Sequence, residues 1–236
     1  MINILIAIQA RSGSKRLPGK SLKMLDDKIM VGHVVHAAQK AANFLIRSEK
    51  KTTDKLSVKV CVLIPTGDEL KSHFGDGDVI EGPESDVLER FRLAAVEYRP
   101  DYIVRLTGDC PLITSPIISK HVSAALSLNL DYCSNAYEDL RTYVDGFDCE
   151  VISSRALAWI CENAATDYDK EHVTTLLRRE KPRWANFGVV LGHLDLSDIK
   201  LSVDTIDDFN EVGKRKTALD EKNRIAKERG YSVFKF

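Results

Sequence analysis

The sequence predicts an α/β protein built on one mostly parallel, doubly wound sheet. Three observations carry that expectation. Short runs rich in Ile, Val and Leu alternate with longer stretches whose apolar residues recur at helical spacing, the rhythm of βαβ units. A Gly- and Ser-containing turn follows the first such run directly. The 236 residues hold no Pro/Gly/Ser-rich linker, so one domain with a full core is expected over 1–236.

Taken in order, residues 2–8 (Ile-Asn-Ile-Leu-Ile-Ala-Ile) read as a buried strand. A basic loop follows, and residues 20–25 look extended before Asp26-Asp27 turns the chain. Residues 29–47 carry a helical apolar stripe, whereas 47–55 is charged throughout and reads as a solvated connection. Residues 58–64 form a second strand closed by Pro65-Thr66-Gly67; a short helix near 68–74 leads to a third strand at 78–80. Ser85 reads as the N-cap of a helix running through Ala94–Glu97. Residues 102–106 are a fourth strand and 115–126 the next helix. After Asp131 the rhythm changes. Strands are expected at 132–134, 149–152 and 185–190, some of them antiparallel, with helices at 154–162, 170–179 and 206–214. Residues 135–190 therefore read as an insertion covering the far side of a site. Ligands of open α/β sheets lie beyond the carboxyl ends of the strands. The loops after strands one and four should thus share one crevice.

Composition excludes several classes. With 34 Lys and Arg against 35 Asp and Glu, the net charge of −1 leaves no broad basic face for nucleic acid. No apolar stretch has the length of a membrane span, and the N-terminus lacks the basic region of a signal peptide. The five cysteines are odd in number and form no Cys-x-x-Cys pair, as expected for reduced thiols in a cytoplasmic protein.

The loop from Gln9 to Ser21 combines two glycines and small hydroxyl residues with Arg11, Lys15, Arg16 and Lys20, and no acid appears before Asp26. Exposed backbone N–H groups plus local positive charge suit a polyphosphate. The loop is neither a Walker A motif, which needs four residues between its first Gly and Gly-Lys-Ser/Thr, nor a G-x-G-x-x-G turn. Asp109, after a strand and a glycine, could hold a divalent cation against phosphates or cap the next turn. Asp204 ends a strand-like run, and capping of a helix from Ile206 is the competing role for this corner, with Asp207 and Asp208 as first-turn charges. Asp145, Asp148 and Glu150 enter a strand through Gly146. Alternation puts Asp148 and Glu150 on one face, where they could hold sugar hydroxyls, a second metal, or only solvent. Glu171 and His172 open a helix, and a structural role for His172 is as plausible as a substrate contact.

Gln9-Ala-Arg-x-Gly-Ser-x-Arg-Leu-Pro-Gly-Lys20 resembles the N-terminal signature of the cytidylyltransferases that activate acidic sugars, such as CMP-sialic acid and CMP-Kdo synthetases. The spore-coat polysaccharide type is the nearest in pattern. The likeness continues through Arg105-Leu-Thr-Gly-Asp-Cys-Pro-Leu112, Asp145-Gly-Phe-Asp-Cys-Glu-Val151, Glu171-His-Val-Thr174 and Leu201-Ser-Val-Asp-Thr205. It implies a Rossmann-like nucleotide-diphospho-sugar transferase fold with a small insertion subdomain. It implies CTP and Mg²⁺ as ligands, a sugar acceptor and a homodimer. By the same resemblance Asp109 and Asp204 hold the metal, and Arg11 and Lys20 join them in catalysis. Ala10, Arg11, Ser12, Gly13, Lys20, Ser85, Arg105 and Asp109 face the nucleotide. Asp145, Gly146, Asp148, Glu150, Glu171 and His172 face the acceptor. Arg141, Arg155, Arg178, Arg179 and Arg183 are candidates for an acceptor carboxylate. Competing expectations are a nucleotidyltransferase using another NTP or a sugar phosphate, a nucleotide-sugar glycosyltransferase, and a binding module without chemistry. The second lacks its usual Asp-x-Asp motif, since the position reads Gly108-Asp109-Cys110-Pro111.

Overall fold

A computed structural model describes residues 1–48 and 55–228. The core of the expected charged connection, residues 49–54, lies outside the described residues. The elements in chain order are β1 (Ile2–Gln9), β2 (Met24–Leu25), β3 (Lys28–Ile29), α1 (Met30–Ser48), β4 (Leu56–Pro65), β5 (Val79–Gly82), α2 (Val87–Tyr98), β6 (Tyr102–Thr107) and α3 (Ser115–Ser127). There follow β7 (Tyr132–Ser134), β8 (Glu150–Ser153), α4 (Ser154–Asn163), α5 (Asp167–His172), α6 (Thr175–Glu180), β9 (Phe187–Val189) and α7 (Ile206–Glu228). Seven strands form one sheet in the order β5-β4-β1-β6-β8-β7-β9, and β2 and β3 form a separate hairpin. All neighbouring pairs of the large sheet are parallel except those made by β8, which runs against β6 and β7. Within 135–190 the chain adds β8 and β9 to this sheet and α4–α6 around it.

Alternation along β1 explains why both faces are covered. Ile4, Ile6 and Ile8 join one buried cluster with Val34, Ala38 and Ala41 of α1 and Ile118 and Val122 of α3. Leu5 and Ala7 point the other way, into a cluster with Phe91 and Ala94 of α2 and Leu157 and Ile160 of α4. A third cluster lies under the loops. It joins Leu17 of the basic loop, Leu25, Met30, Val144, Leu201, Val203 and Val212 of α7. It ties the basic loop to the 199–204 segment, which is far away in sequence.

Several boundaries differ from expectation for local reasons. Lys20–Leu22 is one 3-10 turn, entered through Gly19 at φ 66°, not an extended stretch. Asp86, not Ser85, caps α2: its carboxylate accepts from the Glu89 N–H at 2.8 Å. The helix expected over 170–179 is broken into α5 and α6 at Val173, whose φ of 57° and ψ of −62° close a strained γ-turn, with the Thr174 N–H donating to the His172 carbonyl at 2.6 Å. No helix among the described residues is long and apolar enough to cross a membrane.

Candidate active site

The basic loop leaves β1 at the carboxyl edge of the sheet and is held there by its neighbours. Arg90 of α2 is buried and donates to the carbonyls of Ala10 and Leu63, at 3.3 and 3.2 Å. The Ser12 N–H donates to Asp68 at 2.9 Å, the Ser14 N–H to the Ser12 carbonyl, and the Ser21 hydroxyl to the Arg11 carbonyl. Two of the loop's backbone donors, those of Ser12 and Ser14, therefore already have acceptors. Gly13 stays exposed, and a side chain there would meet Glu84. Arg11 is exposed beside the same Glu84, at 3.6 Å.

Lys20 leads the loop's cations inward. Its Nζ lies 2.7 Å from the Val203 carbonyl, 3.2 Å from Asp109 Oδ2 and 3.4 Å from Asp204 Oδ1. Asp109 arrives from β6. Gly108 lets that turn close onto β1, because its N–H donates to the Gln9 carbonyl and a Cβ would stand 3.0 Å from Ala10. Thr107 Oγ1 donates to Asp109 Oδ1 at 2.5 Å. Burial pushes the Asp109 carboxyl up, but Lys20 and the Thr107 hydroxyl outweigh it and hold the group below its ordinary value. Asp204 comes from the other end of the chain. The Val203 N–H donates to the Asp109 carbonyl at 2.9 Å, which zips residues 199–204 to the turn after β6. Arg16 and Lys200 flank Asp204, at 2.9 and 3.4 Å.

Thr205 and Asp208 settle the competing reading of this corner. The Asp208 N–H donates to Thr205 Oγ1 at 3.2 Å, and Asp208 Oδ2 accepts from the N–H groups of Thr205 and Asp204, each at 2.9 Å. This is a reciprocal capping box at the start of α7. Asp204 is thus relieved of capping, and its carboxylate turns to the crevice.

The 145–150 block approaches from the side. Gly146 sits at φ 111°, and a Cβ there would fall 2.5 Å from the backbone of Leu201 and Ser202, so both the backbone angle and the close approach require glycine. The contact brings Asp145 alongside Lys200. Arg141 forks onto Asp148 at 2.7 and 3.1 Å and lies 4.0 Å from Asp145. Burial, with Asp145 nearby, raises the Asp148 carboxyl above its ordinary value despite Arg141.

Some expected site residues are not drawn into this cluster. The Glu150 side chain, 4% exposed, is enclosed by Arg105, Tyr132 and Thr174, and Arg105 also donates to Gln9 Oε1 at 3.0 Å. Arg105, expected at the nucleotide, and Glu150, expected at the acceptor, are thus paired with each other, as a buried carboxylate requires. Ser85, Glu171 and His172 are exposed, and His172 packs its ring on Tyr168. No hydrogen bond or ion pair among the described residues joins these three to the Lys20 cluster. Arg155 forks onto Asp131 and Arg179 onto Asp169, neither of which contacts the Lys20 cluster. Conversely Asp68, Arg90, Thr107 and Lys200 were not singled out in the sequence. Only the turn after each strand end hinted at Asp68 and Thr107.

The sequence matches a known family. A family model described as cytidylyltransferase matches residues 5–215. The chain belongs to the cytidylyltransferase family, CTP-dependent nucleotidyltransferases. It is 32% identical over 212 residues to an uncharacterised protein of Methanocaldococcus jannaschii, covering 88% of this chain and 81% of that one. It is 28% identical over 221 residues to the spore coat polysaccharide biosynthesis protein SpsF of Bacillus subtilis, covering 90% and 85%. A cytidylyltransferase structure from Leptospira borgpetersenii superposes with a TM-score of 0.80 at 25% identity over the full length of both chains. A CMP-2-keto-3-deoxy-manno-octonic acid synthetase complexed with CTP shares the fold at a TM-score of 0.65 and 16% identity, covering 92% and 99%.

Proposed function

We propose that this protein transfers CMP from CTP to the hydroxyl of a sugar, releasing pyrophosphate, in surface polysaccharide biosynthesis. The observation that carries the reading is the convergence of Lys20 with Asp109 and Asp204 at the carboxyl edge of the sheet. The names of the relatives make an acidic 2-keto-3-deoxy sugar the first acceptor to test. A cytoplasmic homodimer using residues 135–190 for the acceptor pocket and the dimer contact is part of the same reading.

The residues fit a hard divalent cation such as Mg²⁺: two carboxylates and a backbone carbonyl surround one point, and Mg²⁺ takes one or two protein carboxylates with phosphate and water. Bound there, the cation would polarise phosphate oxygens and lower the pKa of the acceptor hydroxyl. Arg11, Arg16 and Lys20 would grip the triphosphate, and Lys20 would offset charge on the transferred and leaving phosphates. Thr107 holds the Asp109 carboxylate in one orientation. Asp145 and Asp148 would accept from sugar hydroxyls and aim one of them at the α-phosphorus. The protein's part is positioning and electrostatics, with no covalent enzyme intermediate.

The test is pyrophosphate release with Mg²⁺, each of the four NTPs, and a panel of 3-deoxy-2-ulosonic acids and neutral sugars. Sugar-dependent release with CTP is expected, and Lys20→Ala should reduce turnover by about two orders of magnitude or more while leaving the fold intact. Absence of nucleotide binding would overturn the reading; release with another NTP would move only the base.

A further inference from the structure

Lys20 does more than approach two acids. Its ammonium is surrounded by three oxygens, those of the Val203 carbonyl, Asp109 Oδ2 and Asp204 Oδ1, at 2.7, 3.2 and 3.4 Å. These are the hard oxygens that a divalent cation would take. The other oxygen of each carboxylate is also engaged: Thr107 donates to Asp109 Oδ1, and Lys200 lies against Asp204 Oδ2. Arg16 shares Asp204 Oδ1, and Asp208 pairs with Lys200. Three cations thus face three carboxylates, and a dication added to this balanced set would meet repulsion. The Lys20 side chain is only 14% exposed, while Asp109 and Asp204 are 33% and 24% exposed. Lys20 therefore loses much of its hydration and depends on an anionic partner.

We propose that the Lys20 ammonium and a divalent cation are alternative occupants of the Asp109–Asp204 pair, and that the nucleotide triphosphate draws Lys20 from the pair, so that nucleotide and cation load together. The inference rests on the nucleotidyltransferase reading. Phosphate oxygens give Lys20 and Arg16 a replacement partner inside the crevice. The two carboxylates released by that exchange then face a cation whose remaining positions are filled by the same phosphates. Among the described residues no group of three or more His, Cys, Asp or Glu could hold a metal, which leaves positions on the cation for phosphate oxygens. Coupling of this kind is reciprocal: whatever moves Lys20 off the acids helps the cation, and the cation in turn releases Lys20 to the phosphates.

Removing the Lys20 charge should therefore have opposite effects on the two ligands, a pattern that structural damage does not produce. The experiment titrates Mn²⁺, followed by electron paramagnetic resonance, into the nucleotide-free full-length protein and its Lys20→Met variant. Calorimetry then measures CTP binding to both in EDTA. Lys20→Met should bind Mn²⁺ about tenfold more tightly than the wild type and metal-free CTP about tenfold more weakly. Arg16→Met, at an exposed side chain, should shift both affinities in the same directions by a smaller factor, and serves if Lys20→Met fails to fold. Equal Mn²⁺ affinity in wild type and variants, or weakening of both ligands together, overturns the exchange. Absence of CTP binding by the wild type with and without metal overturns the nucleotidyltransferase reading instead, while the Mn²⁺ arm still decides the exchange.

Discussion

Arg141 shows how one side chain can be read from its surroundings. Among the five arginines considered for an acceptor carboxylate, Arg155 and Arg183 lie beside residues that precede β7 and β9, at the amino edge of the sheet. Arg141 sits in the β7–β8 connection, at the crevice edge, forked onto Asp148 and close to Asp145. A planar fork gives two-point recognition that an ammonium cannot reproduce. Arg141→Lys should raise the acceptor KM about tenfold while CTP affinity is unchanged, a split that steady-state kinetics with calorimetry would check. A parallel rise in the CTP dissociation constant would mean that Arg141 serves the fold of the crevice and not the acceptor. At this scale the sequence was most legible where charge breaks a local pattern. Four cations in an acid-free loop marked the stretch that holds Lys20, while the strand ends left Asp109 and Asp204 open between capping and metal binding and the resemblance to the cytidylyltransferases favoured the metal. It was least legible for Glu150 and Arg105. Alternation put Asp148 and Glu150 on one face, but only the packing of Tyr132 and Thr174 encloses Glu150 and leaves Asp148 at the crevice.

Elements were legible where apolar periodicity was strong and illegible where other forces set the boundary. Helix α7 was expected to stop near Lys214 yet runs to Glu228, because pairs such as Glu211–Arg215, Lys216–Asp220 and Arg224–Glu228 support it without an apolar stripe. The break at Val173 has no breaker residue; it follows from the buried Val173 side chain and the Thr174 bond to Glu150. The start of α7 carries a prediction of its own. Burial opposes ionisation of Asp208, but Lys200 and the two capped N–H groups win, pulling its carboxyl down to about 2. A depressed carboxyl contributes stability above the unfolded value and loses it as pH falls toward the folded one. Asp208→Ala should therefore cost about 1–2 kcal/mol near pH 7, and the difference from wild type should shrink between pH 4 and 2 in denaturant melts. A pH-independent difference would show that the loss is packing and not the capping charge.

The whole molecule carries one buried base that bears on its acid tolerance. His121 of α3 is fully buried, its Nδ1 donates to the Ile117 carbonyl at 2.8 Å, and its Nε2 has no partner. Burial pushes its pKa down to about 4. The unfolded chain takes up that proton near pH 6.5 and the folded chain does not, so stability falls as pH drops from 6.5 toward 4. The loss from this group should reach about 3 kcal/mol, and His121→Gln should flatten the stability profile over that window in urea titrations. An unchanged profile would mean that the imidazole gains a partner on acidification.

Lys20 and Asp204 meet although 184 residues separate them, and Arg16 reaches the same carboxylate. The strands β1, β4 and β6 are complete long before residue 204 leaves the ribosome. A nascent chain would therefore present its cationic loop while Asp109 is in place and Asp204 is not. Order of synthesis makes the 199–212 segment the part that finishes the crevice: before it arrives Lys20 has Asp109 alone, Arg16 has no carboxylate, and the apolar cluster under the loops is open.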